Sequence, residues 1–259
     1  MRLETMTWPQ AEAYFKEHDT VLIALGSTEC HGRHMPLGTD WMIPDKILEV
    51  LETMTDVLIA PTVPYGNTDY LSVFPGTVSL GPEVTYQVMY RILDGLRKHG
   101  ARRFVVLNGH GGNNAPLDRL ALDMEEKGCI LVPVNWWTLV WDLVPDWNGN
   151  TPWHSGHGGA EETAAVMAID PALIDYDAIS DSGLKALSDE LPFSSLSTIR
   201  FKGVDIPVRR FSRDVTDNGW AGNDHPKYAT KEWGEQMIQA TAEYTADLIE
   251  ALKKVDLDR

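Results

Sequence analysis

The sequence predicts an α/β protein whose mostly parallel sheet is covered by helices on both faces. Three observations carry that expectation. Short apolar runs alternate with stretches of helical spacing, and the runs ending at Leu25 and Leu107 each stop at a glycine-bearing loop. The order strand, loop, helix, strand then calls for right-handed parallel crossovers. No internal repeat or low-complexity linker interrupts the 259 residues, so one domain spanning 1–259 is expected.

A short amphipathic helix opens the chain, with Thr7 as its cap, Pro9 in its first turn, and Ala11, Tyr14 and Phe15 on one face. Thr20 to Leu25 is the first strand, and after the stretch Gly26 to Asp40 a helix runs from Trp41 to Thr53. Val57 to Ala60 is the second strand, followed by a long Pro-, Gly- and Asn-rich loop. Glu83 to His99 is helical. Arg103 to Leu107 is a strand that stops at Asn108-Gly109-His110-Gly111-Gly112-Asn113. Ala115 to Lys127 is a helix, and Cys129 to Val134 a strand. Asn135 to Trp153 reads as a loop rich in tryptophan, and Ala160 to Ile169 as a helix. Residues 170 to 225 are irregular, with a short helical piece within Pro171 to Leu187 and strand-like alternation from Val204 to Phe211. A long helix from Pro226 to Val255 closes the chain.

The formal charge of −16 argues against a nucleic-acid partner, which needs a basic surface. Arg200, Lys202, Arg209, Arg210 and Arg213 still cluster in one segment, either as a solvated loop or as a contact for an anionic substrate or a subunit. Two cysteines do not make a disulfide framework, the N-terminal segment lacks a long apolar core, and no apolar run is long enough to span a membrane. A cytoplasmic protein with no membrane partner is expected.

The chemistry concentrates in three histidine-bearing, glycine-rich loops. In Gly26–Asp40, extended chain would turn Glu29 and His31 toward one cavity, and Asp40 can return to it or cap the following helix. His110 lies between glycines in a loop with neither a dinucleotide fingerprint nor a P-loop lysine, which favours a metal ligand. In His154-Ser155-Gly156-His157-Gly158-Gly159-Ala160-Glu161-Glu162-Thr163, acids at a helix start explain Glu161 and Glu162 but not His157. Carboxylates and imidazoles together suit zinc, manganese or iron.

Glu29-Cys30-His31-Gly32-x-His34-x-Pro36-Leu37-x-Thr39-Asp40, Phe74-Pro75-Gly76-Thr77, Asn108-Gly109-His110-Gly111-Gly112-Asn113 and His157-Gly158-Gly159-x-x-Glu162-Thr163 stand in the order found in the creatininase (creatinine amidohydrolase) family, which the chain resembles. The resemblance implies a three-layer α/β/α fold, a homo-oligomer (a hexamer in the family), and one or two divalent ions per subunit. It implies that Glu29, Asp40 and His110 hold one ion, and His31, Asp40 and an acid the other. Where creatininase has that acid, two residues beyond the histidine, this chain has Gly112, and Glu162 is the expected substitute. Cys30 stands where many relatives have glutamine and reads as a buried structural thiol, with His34 in a supporting role.

The function expected is metal-dependent hydrolysis of a small cyclic amide or related C–N bond by activated water. His157 would transfer protons, and Glu162 would bind metal or orient water. Trp136, Trp137, Trp141 and Trp153 either wall a pocket or meet another subunit. One competing expectation is C–C hydrolysis of a carbonyl-bearing carbocycle such as a keto-inositol, with polar Asn67–Tyr70 binding hydroxyls. Metal-dependent isomerisation of a sugar is another, and a non-catalytic metal-binding structural protein is the reading from a different class.

Overall fold

The computed structural model describes residues 1–145 and 156–257. Its centre is a four-stranded parallel sheet of β1 (Thr20–Leu25), β2 (Leu58–Val63), β3 (Arg103–Asn108) and β4 (Ile130–Asn135), in the order β2-β1-β3-β4. Alternation along the strands separates two cores. Leu22, Ala24, Val105 and Leu107 face one side, where α2 (Thr39–Leu51), α5 (Trp136–Leu143), α6 (Ala160–Ile169) and α7 (Lys231–Leu252) pack. Val21, Ile23, Phe104 and Val106 face the other, against α1 (Trp8–Glu17), α3 (Gly81–Arg97) and α4 (Asn114–Glu125). The result is the expected α/β/α sandwich.

β1 leads to β2 on one side, while its other neighbour β3 leads on to β4 in the opposite direction. The strand order therefore reverses between β1 and β3. Loops leaving the carboxyl ends of two such strands diverge and open a crevice, the usual ligand position in an open α/β sheet. Here those loops are Gly26–Gly38 and Gly109–Asn113, joined by Asn113, whose Nδ2 donates to Gly26 O over 3.1 Å.

Several boundaries differ from expectation. α2 begins at Thr39 with Gly38 as its N-cap, so Asp40 is already inside the first turn and its side chain does not cap the helix. The tryptophan-rich segment is not all loop: Trp136 and Val140, one helical turn apart, are the buried residues of α5. Clustered aromatics obscured that period. α7 starts at Lys231, where Thr230 Oγ1 accepts from Trp233 N, and Pro226–Tyr228 forms a separate 3-10 turn. The irregular region holds three 3-10 turns, Pro171–Leu173, Tyr176–Ala178 and Ser212–Asp214, and a four-stranded antiparallel sheet of short strands. The small paired strand β5 (Gly156–His157) precedes it in the chain, and it consists of β6 (Ala186–Ser188), β7 (Leu191–Ser195), β8 (Thr198–Phe201) and β9 (Val204–Pro207). Of these only β9 was expected, within a longer stretch from Val204 to Phe211 that in fact ends at Pro207, because short, largely exposed strands carry little apolar alternation. Finally β10 (Ala221–Gly222) pairs with β5, and Gly219 O just before it accepts from Gly32 N, which ties the third histidine loop to the first. Among the described residues no helix is long and apolar enough to cross a membrane.

Candidate metal centre

Glu29, His31 and Asp40 are almost wholly buried at the crevice between β1 and β3. Glu29 N donates to Leu37 O, which closes the first loop, and Thr68 Oγ1 donates to Glu29 Oε2. Ser27 Oγ donates to Asp40 Oδ2 over 2.8 Å. Each carboxylate is thus anchored through one oxygen. Glu29 Oε1 remains buried without a hydrogen-bond partner.

The imidazoles are oriented by backbone carbonyls. His31 Nδ1 is 3.2 Å from Glu29 O, His110 Nε2 is 2.8 Å from Asn67 O, and His157 Nε2 is 2.7 Å from Cys30 O. A carbonyl only accepts, so in each ring that nitrogen carries the proton. The other nitrogen then faces inward as a lone pair in the neutral ring. His31 Nε2 lies 2.8 Å from Asp40 Oδ1, and His110 Nδ1 lies 2.9 Å from Asp40 Oδ2 and 3.2 Å from Glu29 Oε1. His157 Nδ1 is 3.7 Å from Glu29 Oε1, with its ring tilted against that of His31.

Glu162, from the first turn of α6, completes the inward set, its Oε2 3.7 Å from His31 Nε2. The same oxygen accepts from Gly158 N over 2.6 Å. That bond depends on a backbone with φ of +70° at residue 158, a conformation that favours glycine. Gly112 shows why the acid comes from α6: a Cβ there would overlap the Asn67 carbonyl oxygen and the His110 ring. A longer side chain at 112 has no room.

Lone pairs opposed to carboxylates at such distances repel unless positive charge lies between them. The pKa shifts carry the same message. Burial alone would lower the His31 pKa, yet Asp40, Glu162 and Glu29 outweigh it and raise it to about 10. His110 behaves likewise beside Glu29 and Asp40. Burial would raise Asp40, but His31 and His110 hold it well below the usual carboxylate range. Burial pushes Glu162 up to about 7 despite the opposing pull of His31, and burial with the His31 charge lowers His157 to about 4. Ligand atoms of Glu29, Asp40 and His110 lie within 4.8 Å of one another, as do those of His31, Asp40 and Glu162. Glu29, His31 and His157 form a third such group. The donor set fits a divalent metal with oxygen and nitrogen ligands.

A cavity of about 410 Å³ opens above this floor. Trp137 and Trp141 form one wall, and Trp141 Nε1 donates to Glu161 Oε2 over 2.9 Å. Trp136 is buried in the core rather than in the wall, while Trp153 and His154 lie outside the described residues. Tyr70, Leu196 and Arg209 also line the cavity. Sequence reasoning did not single out Leu196 for the site, read Glu161 as an acid at a helix start, offered Thr68 for substrate hydroxyls rather than for holding Glu29, and left Arg209 within an unresolved basic cluster. His34 is buried behind the floor, its Nε2 3.1 Å from Thr163 Oγ1, and Cys30 is a buried free thiol whose pKa is raised by burial.

A parallel sheet that gathers buried carboxylates and imidazoles at its switch point defines an α/β protein whose site suits a divalent metal. The chain belongs to the creatininase family: the family model described as creatinine amidohydrolase matches residues 4–249, and membership makes it a creatininase-family hydrolase. It is 30% identical to creatinine amidohydrolase of Pseudomonas putida over 195 residues, 68% of this chain and 74% of that protein. It is 31% identical to the mycofactocin precursor peptide peptidase of Mycolicibacterium smegmatis over 237 residues, 88% and 83% of the two chains. With the 3-dehydro-scyllo-inosose hydrolase of Thermotoga maritima it shares 25% identity over 193 residues, 72% of this chain and 62% of that one. A solved structure described as creatininase Mn superposes with a TM-score of 0.74 at 25% identity, covering 98% and 99% of the two chains. A mutant creatininase of Zn-Zn type gives 0.73 at 24%, covering 98% of each, and shows the fold alone.

Proposed function

We propose that this protein is a divalent-metal-dependent hydrolase of a small cyclic amide or related C–N bond, using one or two zinc, manganese or iron ions. One observation supports this most: inward-facing imidazole nitrogens not tied to a backbone carbonyl converge on carboxylates, and Asp40 is common to two donor sets. On this reading Glu29, Asp40 and His110 hold one ion, and His31, Asp40 and Glu162 the other. When bound, such ions supply an acidified water and polarise the carbonyl under attack.

The chain's own residues prepare that chemistry. Thr68 and Ser27 each hold one oxygen of a carboxylate, leaving the partner oxygen directed at the cavity floor. His157 has its outer nitrogen fixed on Cys30 O, so proton transfer falls to Nδ1, which faces the floor. With its pKa lowered to about 4 it starts as a neutral acceptor. Trp137 and Trp141 flank a flat substrate and exclude water from it.

The alternative of C–C hydrolysis in a keto-inositol draws support from the likeness to the inosose hydrolase. Two of the polar residues offered for its hydroxyls are already engaged, Thr68 with Glu29 and Asp69 with Ser79, which favours the amide reading. Metal analysis of the purified protein, then turnover of creatinine, other cyclic amides and keto-inositols before and after chelation, tests both. Chelation is expected to abolish turnover and His110→Ala to lose metal; full activity without metal refutes the proposal, and metal without any turnover leaves the structural reading. A homo-oligomer, hexameric by family resemblance, belongs to the same reading and is measured by light scattering.

A further inference from the structure

The basic cluster between residues 200 and 213 sorts into partnered side chains and one that faces the cavity. Arg200 makes a two-point pair with Asp205, at 2.8 and 2.7 Å, and Arg210 lies 3.0 Å from Asp214. Lys202 sits over the Phe201 ring and Arg213 over Phe74, both away from the cavity floor. Arg209 lines the cavity, its guanidinium 5.1 Å from the centre of the Tyr70 ring. Among the described residues it has no carboxylate partner, and it is the one arginine or lysine on the cavity lining.

Its place is fixed from both sides. Val208 N donates to Ser197 O over 2.9 Å, tying the chain just before Arg209 to the tip of the β7–β8 hairpin, which also lines the cavity. Just after it, buried Ser212 donates to Tyr70 O over 2.6 Å. Arg209 and Tyr70 are therefore held together by neighbouring bonds rather than by their own contact. A guanidinium stacked on an aromatic face keeps its N–H edge free, and that edge matches a carboxylate through two parallel hydrogen bonds. A phosphate, with close to two negative charges, calls for more cations than this wall offers.

We propose that Arg209 receives a carboxylate of the substrate, so that the preferred substrate is an amide carrying a carboxylate apart from the bond that is cleaved. This rests on the hydrolase reading only for the identity of the cleaved bond.

The test uses matched probes on the metal-loaded protein: dihydrouracil against dihydroorotate, and N-methylacetamide against N-acetylglycine. Binding is followed by tryptophan fluorescence and turnover by amide loss. At least tenfold tighter binding of the carboxylated member is expected in the parent protein. Arg209→Met should bind both members equally, with its circular dichroism unchanged, and Arg209→Lys should recover part of the preference. Equal affinities within both pairs, absence of binding included, overturn the proposal. So does a preference that survives in Arg209→Met, because the carboxylate then sits on the metal. A lost oligomeric mass in Arg209→Met without any carboxylate preference assigns the residue to a subunit contact instead. Carboxylate preference without turnover keeps Arg209's role and rejects hydrolysis, whereas turnover without preference does the reverse.

Discussion

Replacing Asp40 by asparagine separates a cation-binding floor from a merely polar one. Asp40 presents Oδ1 to His31 at 2.8 Å and Oδ2 to His110 at 2.9 Å, and it is the carboxylate common to two donor sets. Asparagine keeps its volume and can still accept from Ser27, but it removes the charge. A ligand at one hundred times its Kd stabilises the folded state by about 2.7 kcal/mol. At about 2–4 °C per kcal/mol for a domain near this size, the parent protein should gain about 5–10 °C in Tm. If the substitution weakens metal about a hundredfold, the same free metal equals the new Kd, and the gain falls to about 0.4 kcal/mol, or about 1–2 °C. Scanning calorimetry of both proteins in chelator and in buffered zinc or manganese measures the two shifts. An undiminished shift in Asp40→Asn, with a folded metal-free state, would refute the assignment of Asp40 to the ions.

On the proposed two-ion reading, Glu162→Gln should lower bound metal toward one ion, read by elemental analysis, while sparing the ion that reading assigns to Glu29, Asp40 and His110. Gly112→Ala should cost about 1–3 kcal/mol in denaturant unfolding and weaken metal binding, since its Cβ overlaps Asn67 O and the His110 ring. His34 gives a pH signature. Burial, with repulsion from His31 and His225, lowers its pKa to about 4 from an unfolded value near 6.5. The unfolded chain therefore binds the proton first, and stability falls as pH drops from about 6.5 toward 4, by about 2–3 kcal/mol at pH 4.5. His34→Gln retains a donor for Thr163 and should remove that share of the acid sensitivity in paired denaturation curves at pH 7 and 4.5.

The part of the molecule that local sequence dictates was legible. β1 and β3 announce themselves as apolar runs closed by glycine, and their position beside a reversal of strand order brings Glu29, His31, Asp40 and His110 together. Glu162 was reachable only because Gly112 left an acid missing from the family pattern. Arg209 was not reachable as a pocket residue. Its placement depends on Ser197 O and Tyr70 O, the second supplied from a loop 142 residues before Ser212 in the chain. α5 was missed for a different reason: its burial is confined to Trp136 and Val140 within a run of aromatics, so too little contrast remained to show a helical period.

The carbonyls of Glu29, Asn67 and Cys30, which aim the three imidazoles, belong to the main chain. No substitution at Cys30 or Asn67 removes an acceptor of that kind; it changes only the side chain that departs from the same backbone. Aim and appetite are therefore encoded separately. The nitrogen lone pairs stay directed at one point while Tyr70, Trp141, Leu196 and Arg209 are free to drift, so new substrates can be tried without dismantling the centre that would act on them.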